Sequence, residues 1–435
     1  MRVLLLATTT GYQTRAFGNA AERLGIELAF ATDRCHQIDD PWQDAAIPIR
    51  FYEEEASVST IVEAARTRPI DGIIAVGDRP TVIAARAAVA LGLPWHAPDA
   101  TRAAGNKVLT RECLRDANLP VPWFDTIRLD GLLRGQTPYK FPCVIKPIAL
   151  SGSRGVMRAD DPISLESALD RLRALMRWPD IRAERNAAHD TAIVEGFVPG
   201  REYAVDALLH HGVLHVLAIF AKPDPLDGPF FEETIYLTPP DVTPDTQRAI
   251  VAAVDAAAGA LGLSHGPIHA ECRVNDTGVV VLEVAARTIG GLCARALRFD
   301  RAVHGGRPST PISLEELLLR QAVGESPAGW TRERDASGVM MIPIPRRGLL
   351  RGVEGVDEAR QVAHVADVRI TAKMDQLLVP LPEGASYLGF MFARAAGAPD
   401  VERALRAAHA RLRFLIDTEF PLLAPGQIHY NLEHG

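Results

Sequence analysis

Cysteine is scarce in this chain: five residues in 435, with no Cys-x-x-Cys pair. Cys35, Cys113, Cys143, Cys272 and Cys293 stand singly, which argues against a disulfide framework or a thiolate metal site. They read as small buried hydrophobes in a reducing compartment. No apolar run nears the roughly 18 residues of a membrane span, and the opening Val3-Leu4-Leu5-Leu6-Ala7 is too short for a secretory signal. Positive charge is not in excess. Lysine plus arginine number 47 against 54 acids, a net charge of −7, so neither nucleic acid nor an anionic membrane is expected as a partner. A dinucleotide fingerprint is missing too. After the first strand Thr8-Thr9-Thr10-Gly11-Tyr12-Gln13 holds one glycine where G-x-G-x-x-G is required. Repeats and low-complexity tracts are absent. What remains, 47% hydrophobic and 23% charged residues, is the make-up of a soluble globular chain of about three domains, and a cytoplasmic enzyme is the expectation.

Residues 1–98 alternate buried strands (3–7, 28–31, 72–76) with helical patterns (15–24, 57–66, 80–91). That rhythm predicts a parallel sheet with helices on both faces. Gly77-Asp78-Arg79 after the third strand reads as a plain turn rather than a substrate loop. Residues 101–118 read as one basic helix ending at the rigid Leu119-Pro120-Val121-Pro122. An apolar strand, 141–147, closes on Lys146 and leads into Ser151-Gly152-Ser153-Arg154-Gly155-Val156. Small residues there let backbone N–H groups approach phosphate oxygens, although no Gly-Lys-Ser/Thr makes it a Walker A loop. Strand 191–195 and the hinge 196–200 follow. A hairpin, 201–209 with 213–221, turns at His210-His211-Gly212, whose histidines read as solvated. Residues 222–240 form a long Pro-rich covering loop. Thr243 caps a helix reaching about residue 261 with Pro244 at its first position. Ser313-x-x-Glu316 is a capping box opening the helix 314–323. Beyond residue 338, runs 339–344, 365–372, 376–379 and 387–393, with a last helix at 401–414, predict a third, β-rich lobe.

The stretch around which the chain is organised is Pro267 to Gly291. Two strand-like runs flank Asp276-Thr277-Gly278, and a three-residue loop ending on glycine pairs Asn275 with Val279. That register sets Glu271 opposite Glu283, His269 opposite Ala285, Arg273 opposite Val281 and Pro267 opposite Arg287. It sends Ile268, Ala270, Cys272, Val274, Val280, Leu282, Val284 and Ala286 to an apolar core face. Directly opposed carboxylates repel, so the pair needs a shared proton, a basic neighbour or a cation. Mg²⁺ suits it, taking one or two carboxylates and leaving its other positions to phosphate and water. A surface hairpin with the pair solvated or bridged by Arg273 is the alternative, and a four-residue turn would put the two glutamates on opposite faces.

In order, Asn106-Lys107, Val144-Ile145-Lys146-Pro147, the Ser/Gly loop, Glu195 to Val198, Glu202, Glu271, and Glu283 with Arg287 resemble the ATP-grasp superfamily of carboxylate–amine ligases over essentially the whole chain, most of all its bacterial L-amino-acid (dipeptide) ligases. The resemblance implies an α/β and α+β chain with an ATP-grasp fold. A Rossmann-like pre-ATP-grasp domain would span 1–100, a two-lobed ATP-grasp domain 101–308 with its hinge near 195–200, an α+β lobe 309–423 and a tail 424–435. It implies ATP and two Mg²⁺ (or Mn²⁺) ions as cofactors, the ions held by Glu271 and Glu283. Lys107 and Lys146 would touch the phosphates, Ser153 and Gly155 the lid, Glu195 and Val198 the adenine edge, and Glu202 the ribose. Arg287 and Lys146 would be catalytic, and Glu232, His269, Arg287, Gly290 and Gly291 would meet the substrates. Ala285 stands where such proteins often carry a third metal-ligating Asn, so either water or a phosphate oxygen would replace that ligand or the second ion would be held more weakly. The implied reaction is ATP-driven amide formation through an acyl phosphate, in a cytoplasmic protein that could be a homodimer. A catalytically silent ATP-binding regulator and a bicarbonate-using carboxylase relative are the alternatives.

Overall fold

A computed structural model describes residues 1–8, 12–33, 46–131, 139–301 and 310–417. Cys35, the Thr9-Thr10-Gly11 turn, the expected boundary at 308/309 and the tail 424–435 lie outside these residues.

The N-terminal α/β reading holds. Strands Ile47–Ile49, Glu27–Asp33, Arg2–Ala7 and Gly72–Val76 form one sheet in that order, all parallel. Val3, Leu4, Leu5 and Leu6 are fully buried, as a continuous apolar run in a parallel sheet must be. Helices Tyr12–Leu24, Glu54–Thr67 and Thr81–Leu91 accompany it. The short strand Ile47–Ile49 was not foreseen.

The expected helix 101–118 is two helices, Pro98–Ala104 and Lys107–Asp116. Asn106 breaks it by capping the second: its side-chain oxygen accepts the N–H groups of Val108 and Leu109 at 3.0 and 3.2 Å. A four-stranded antiparallel sheet follows, ordered Phe124–Arg128, Thr191–Gly196, Cys143–Pro147, Met157–Ala159. Helix Pro162–Leu175 covers one face of it through Leu165, Leu169 and Leu172.

The largest layer is an eight-stranded antiparallel sheet. Its order is Gly278–Ala285, Gly266–Asn275, Arg201–His210, Val213–Ala221, Ile235–Thr238, Ala336–Ile342, Gly389–Ala395, Val365–Ile370. Two expectations change here. The covering loop 222–240 contains a central strand, Ile235–Thr238, which bridges Val213–Ala221 to Ala336–Ile342. Through it the β-rich C-terminal segment continues the same sheet rather than standing apart. The last helix stops early, at Ala398–His409, and Arg413–Asp417 is a strand paired with Gly348–Glu354, because Phe414 and Ile416 pack into that lobe's core.

Helix Leu314–Ala322 wedges between the N-terminal and eight-stranded sheets. The capping box at Ser313 and Glu316 is formed. On one side Arg23 meets Glu316 at 2.9 Å; on the other Gln321 donates to the Leu209 carbonyl at 2.7 Å. Gly72 permits the approach, since a Cβ there would lie 2.3 Å from the Ala322 carbonyl oxygen.

Candidate active site

A cleft of about 540 Å³ opens where the three sheets meet. The paired strands Gly266–Asn275 and Gly278–Ala285 form its floor, with Glu271 opposite Glu283 and His269 opposite Ala285. Both glutamates line the cleft. The route to that register differs from expectation. Asn275 pairs with Gly278, leaving a two-residue turn, because the Asn275 side chain accepts the Thr277 N–H at 2.9 Å. Arg273 therefore faces Val280, not Val281, and a bulge at Leu282 restores the parity before Glu283. As a result Val281 joins the core while Leu282 turns into the cleft, the reverse of the expected faces.

On one side the cleft is lined by Lys107, Lys146, Ser153, Glu195, Val198 and Glu202. Lys107 donates to the Leu150 carbonyl at 2.7 Å and lies 3.7 Å from Glu283. Glu195 is buried between Arg111 at 2.8 Å and Lys146 at 2.5 Å. Burial opposes its ionisation, but the two cations outweigh that and hold its pKa down at about 2. The Val198 carbonyl accepts from Arg273 at 2.7 Å, and Arg273 also grips Glu202 at 2.9 Å. Gly155 does not line the cleft; its N–H donates to the Pro382 carbonyl at 2.7 Å, while Arg154 reaches the Glu383 carbonyl at 2.9 Å. The Ser/Gly loop is thus docked on the 380–384 turn.

Opposite lies a charged network that the sequence reading largely missed. Lys222 donates to Glu202, Glu233 and Glu271 at 2.7, 2.6 and 2.7 Å, so all three ammonium protons are used. The three carboxylates could by spacing hold an ion, but the ammonium stands at their centre. Burial and the neighbouring Glu271 push the Glu233 pKa up to about 7. Glu271 is held well below the usual range, since Lys222 outweighs its burial. His269 is 3.3 Å from Asp206 and 3.7 Å from Glu271; burial resists protonation, yet these carboxylates raise its pKa to about 9, making it cationic at neutral pH. Glu232 does not line the cleft; its backbone-bonded carboxylate sits by Ile344 and Glu233 takes the inward position. Two adjacent glutamates are indistinguishable in sequence until the path of the chain is known.

Arg287 crosses to the N-terminal domain and donates to Asp78 at 2.6 Å. Gln13 likewise donates to the Gly291 carbonyl at 2.8 Å, and Gly290 and Gly291 line the cleft. Gly77-Asp78-Arg79 is therefore more than a plain turn. Gln13 and Asp78 follow the adjacent strands Arg2–Ala7 and Gly72–Val76, and the carboxyl ends of strands at such a switch point are where open parallel sheets bind ligands. That rule could have found both.

The donor set suits a hard divalent cation. Glu271 and Glu283 offer carboxylate oxygens on one face, Lys107 lies 3.7 Å from Glu283, and Lys146 lines the same cleft. Ala285 is buried and offers no ligand.

Comparison with known proteins agrees with this arrangement. The chain matches the ATP-grasp N-terminal domain over residues 18–95, the ATP-grasp domain over 139–296 and the L-amino acid ligase C-terminal domain 2 over 340–417. The structure of L-amino acid ligase from Bacillus licheniformis is similar with a TM-score of 0.79 and 28% identity, over 96% of this chain and 99% of that one. Carnosine synthase 1 of Gallus gallus is 27% identical over 69% of this chain and 33% of its own length. Dapdiamide A synthase of Enterobacter agglomerans is 28% identical over 35% of this chain and 34% of its own. The chain spans 59% of the first curated relative it matches and about a third of these two. Domain by domain, the chain belongs to the ATP-grasp superfamily and has the domain arrangement of its L-amino acid ligases.

Proposed function

We propose that the protein joins a carboxylic acid, by class an amino acid, to an amine with ATP, through an acyl phosphate, releasing ADP and phosphate. The observation that carries this is the Glu271/Glu283 pair facing one cleft with Lys107, Lys146 and Arg287. Glu271 and Glu283 would hold Mg²⁺ (or Mn²⁺), as two ions, and the metal would supply charge neutralisation for the phosphates.

The chain's own residues divide the work. Lys107 and Lys146 neutralise phosphate oxygens as point charges, with Glu195 holding Lys146 in place. Ser153 and Gly155 belong to the lid, Glu195 and Val198 to the adenine edge, and Glu202 to the ribose. A substrate carboxylate oxygen attacks the γ-phosphorus, and the bond to the bridging oxygen of ADP breaks. Arg287 and the cationic His269 hold the carboxylate; Arg287 then faces the oxyanion formed when the amine nitrogen attacks the acyl carbon. The carbon–oxygen bond to phosphate breaks and phosphate leaves. Glu233 takes the proton shed by the amine, its pKa of about 7 suiting a base at neutral pH. It thereby replaces Glu232 as the ammonium contact. Gly290 and Gly291 leave room beside the acyl group. A cytoplasmic site of action fits this demand for ATP, and no described helix is long and apolar enough to cross a membrane.

The test supplies amino acids, ATP and Mg²⁺ with hydroxylamine as the amine. Hydroxamate with ADP and phosphate is expected; hydroxamate with AMP overturns the acyl-phosphate route. Glu283→Gln should lose about 10²–10³-fold in turnover, the typical loss for one strong transition-state contact. Its melting curve should be unchanged, because the 3.7 Å contact with Lys107 is the ion pair it gives up.

A further inference from the structure

At the far end of the strand that bears His269 and Glu271, three histidines come together. His210 and His211 form the tip of the hairpin Arg201–His210/Val213–Ala221, and His265 precedes the strand Gly266–Asn275. Their ring centroids are 4.6 Å apart for His210 and His211, 5.1 Å for His210 and His265, and 4.8 Å for His211 and His265. One nitrogen from each lies within 4.8 Å of the others. None of the three lines the catalytic cleft.

We propose that His210, His211 and His265 form a site for a borderline divalent transition ion of the zinc, cobalt or nickel class, separate from the oxygen-lined cleft.

Three features support it. First, the spacing fits: nitrogens at about 2.0–2.1 Å from a tetrahedral Zn²⁺ stand roughly 3.4 Å apart, a short closure from the observed geometry that the exposed His211 can supply by side-chain rotation. Second, the site contains unmet nitrogen. His265 is only 6% exposed, yet its Nε2, like Nδ1 of His210, has no hydrogen-bond partner among the described residues. Its other nitrogen, Nδ1, accepts only a long 3.4 Å bond from the His211 N–H, at the outer limit of such bonds. A buried polar atom left unpaired costs stability, and a metal ligand would satisfy it. Third, the ligand type selects: imidazole suits zinc, cobalt and nickel, whereas Mg²⁺ prefers carboxylate and phosphate oxygen. His96, by contrast, is used up. It accepts the Ser264 N–H at 3.2 Å and contacts the Pro267 carbonyl at 3.1 Å. Water, or His215 with its ring 6.5 Å from that of His210, completes the set.

A bound ion would tie the hairpin tip to the segment entering the strand that carries His269 and Glu271, reinforcing the 2.8 Å bond from the Gly212 N–H to the Ser264 carbonyl. The site would stiffen the floor of the cleft without touching substrate.

The experiment titrates Co²⁺ into tag-free, metal-stripped protein in excess Mg²⁺. One equivalent with the intense visible bands of four-coordinate cobalt is expected, with a rise in melting temperature that Zn²⁺ reproduces. His211→Ala, on the exposed ring, should abolish the bands and the rise, as should His265→Gln. Glu283→Gln should keep both. Absence of the bands in the unaltered protein, their survival in His211→Ala, or their loss in Glu283→Gln would each overturn the proposal; the last two would mark binding elsewhere, in the cleft included.

Discussion

A single buried carboxylate, Glu195, sets a measurable acid limit on this protein. Its pKa of about 2, against roughly 4.3 in an unfolded chain, means the folded state binds fewer protons through that interval. The depressed value contributes stability that is complete above the unfolded pKa and is lost as pH falls through it toward 2. The shift corresponds to about 3 kcal/mol at neutral pH. Glu195→Gln should therefore melt well below the unaltered protein at pH 7, with the gap shrinking by more than half by pH 3. A gap independent of pH in thermal melts would show that Glu195 is not the linked group. Lys146→Ala should be less innocent than an exposed lysine change, because Lys146 lies 2.5 Å from that carboxylate. The family resemblance assigned Lys146 and Glu195 separate contacts to nucleotide. Their pairing was hidden because the strands that carry them, Cys143–Pro147 and Thr191–Gly196, are far apart in sequence and adjacent only in the sheet.

At the scale of elements, the Ser/Gly loop meets the C-terminal lobe through a latch. Arg171 makes a two-pronged pair with Glu383 at 2.8 and 2.9 Å, and Gly155 and Arg154 bond the same turn through backbone carbonyls. Gly155 has φ +75°, and a Cβ there would press to 3.1 Å on Leu172 and Leu175, so the loop has little freedom to settle elsewhere. Glu383→Ala should release the turn and speed amide exchange at residues 152–156 in the nucleotide-free protein, and bound ATP should slow it again. Exchange in that segment unchanged by the substitution would refute the latch. The loop's composition was legible, its docking was not, since Glu383 lies over two hundred residues away. The central hairpin makes the same point differently. The opposition of Glu271 and Glu283 was readable, but the turn length and the bulge at Leu282 are two errors that cancel, and only the Asn275 side chain decides between them. Strand Ile235–Thr238 went unread for a related reason: four residues inside a Pro-rich stretch carry too little pattern to outweigh their flanks.

Across the whole molecule, the cleft closes only because the N-terminal domain contributes to it. That domain is fixed by the wedge helix Leu314–Ala322 and reaches the cleft through Gln13 and Asp78. Asp78 lies 2.6 Å from Arg287. Burial alone would favour its neutral form, yet Arg287 outweighs that and keeps it ionised. Among the described residues Arg287 donates to no other carboxylate, its remaining hydrogen bond going to the Thr288 carbonyl at 3.0 Å. Asp78 thus sets where the guanidinium points and acts as a positioning residue. A misplacement of about 1 Å in such a group can cost around 10²-fold. Asp78→Asn keeps the shape but loses the charge, and should lower kcat by 10- to 100-fold with a smaller change in KM for ATP, because Arg287 loses its ion pair whereas Lys107 keeps its bond to the Leu150 carbonyl and Lys146 its pair with Glu195. Asp78→Glu should restore part of the loss. A purely structural contact would lower the melting temperature without this division between kcat and KM. Wild-type kcat in Asp78→Asn would remove Asp78 from the mechanism, and with it the reason for the N-terminal domain to be held against the cleft.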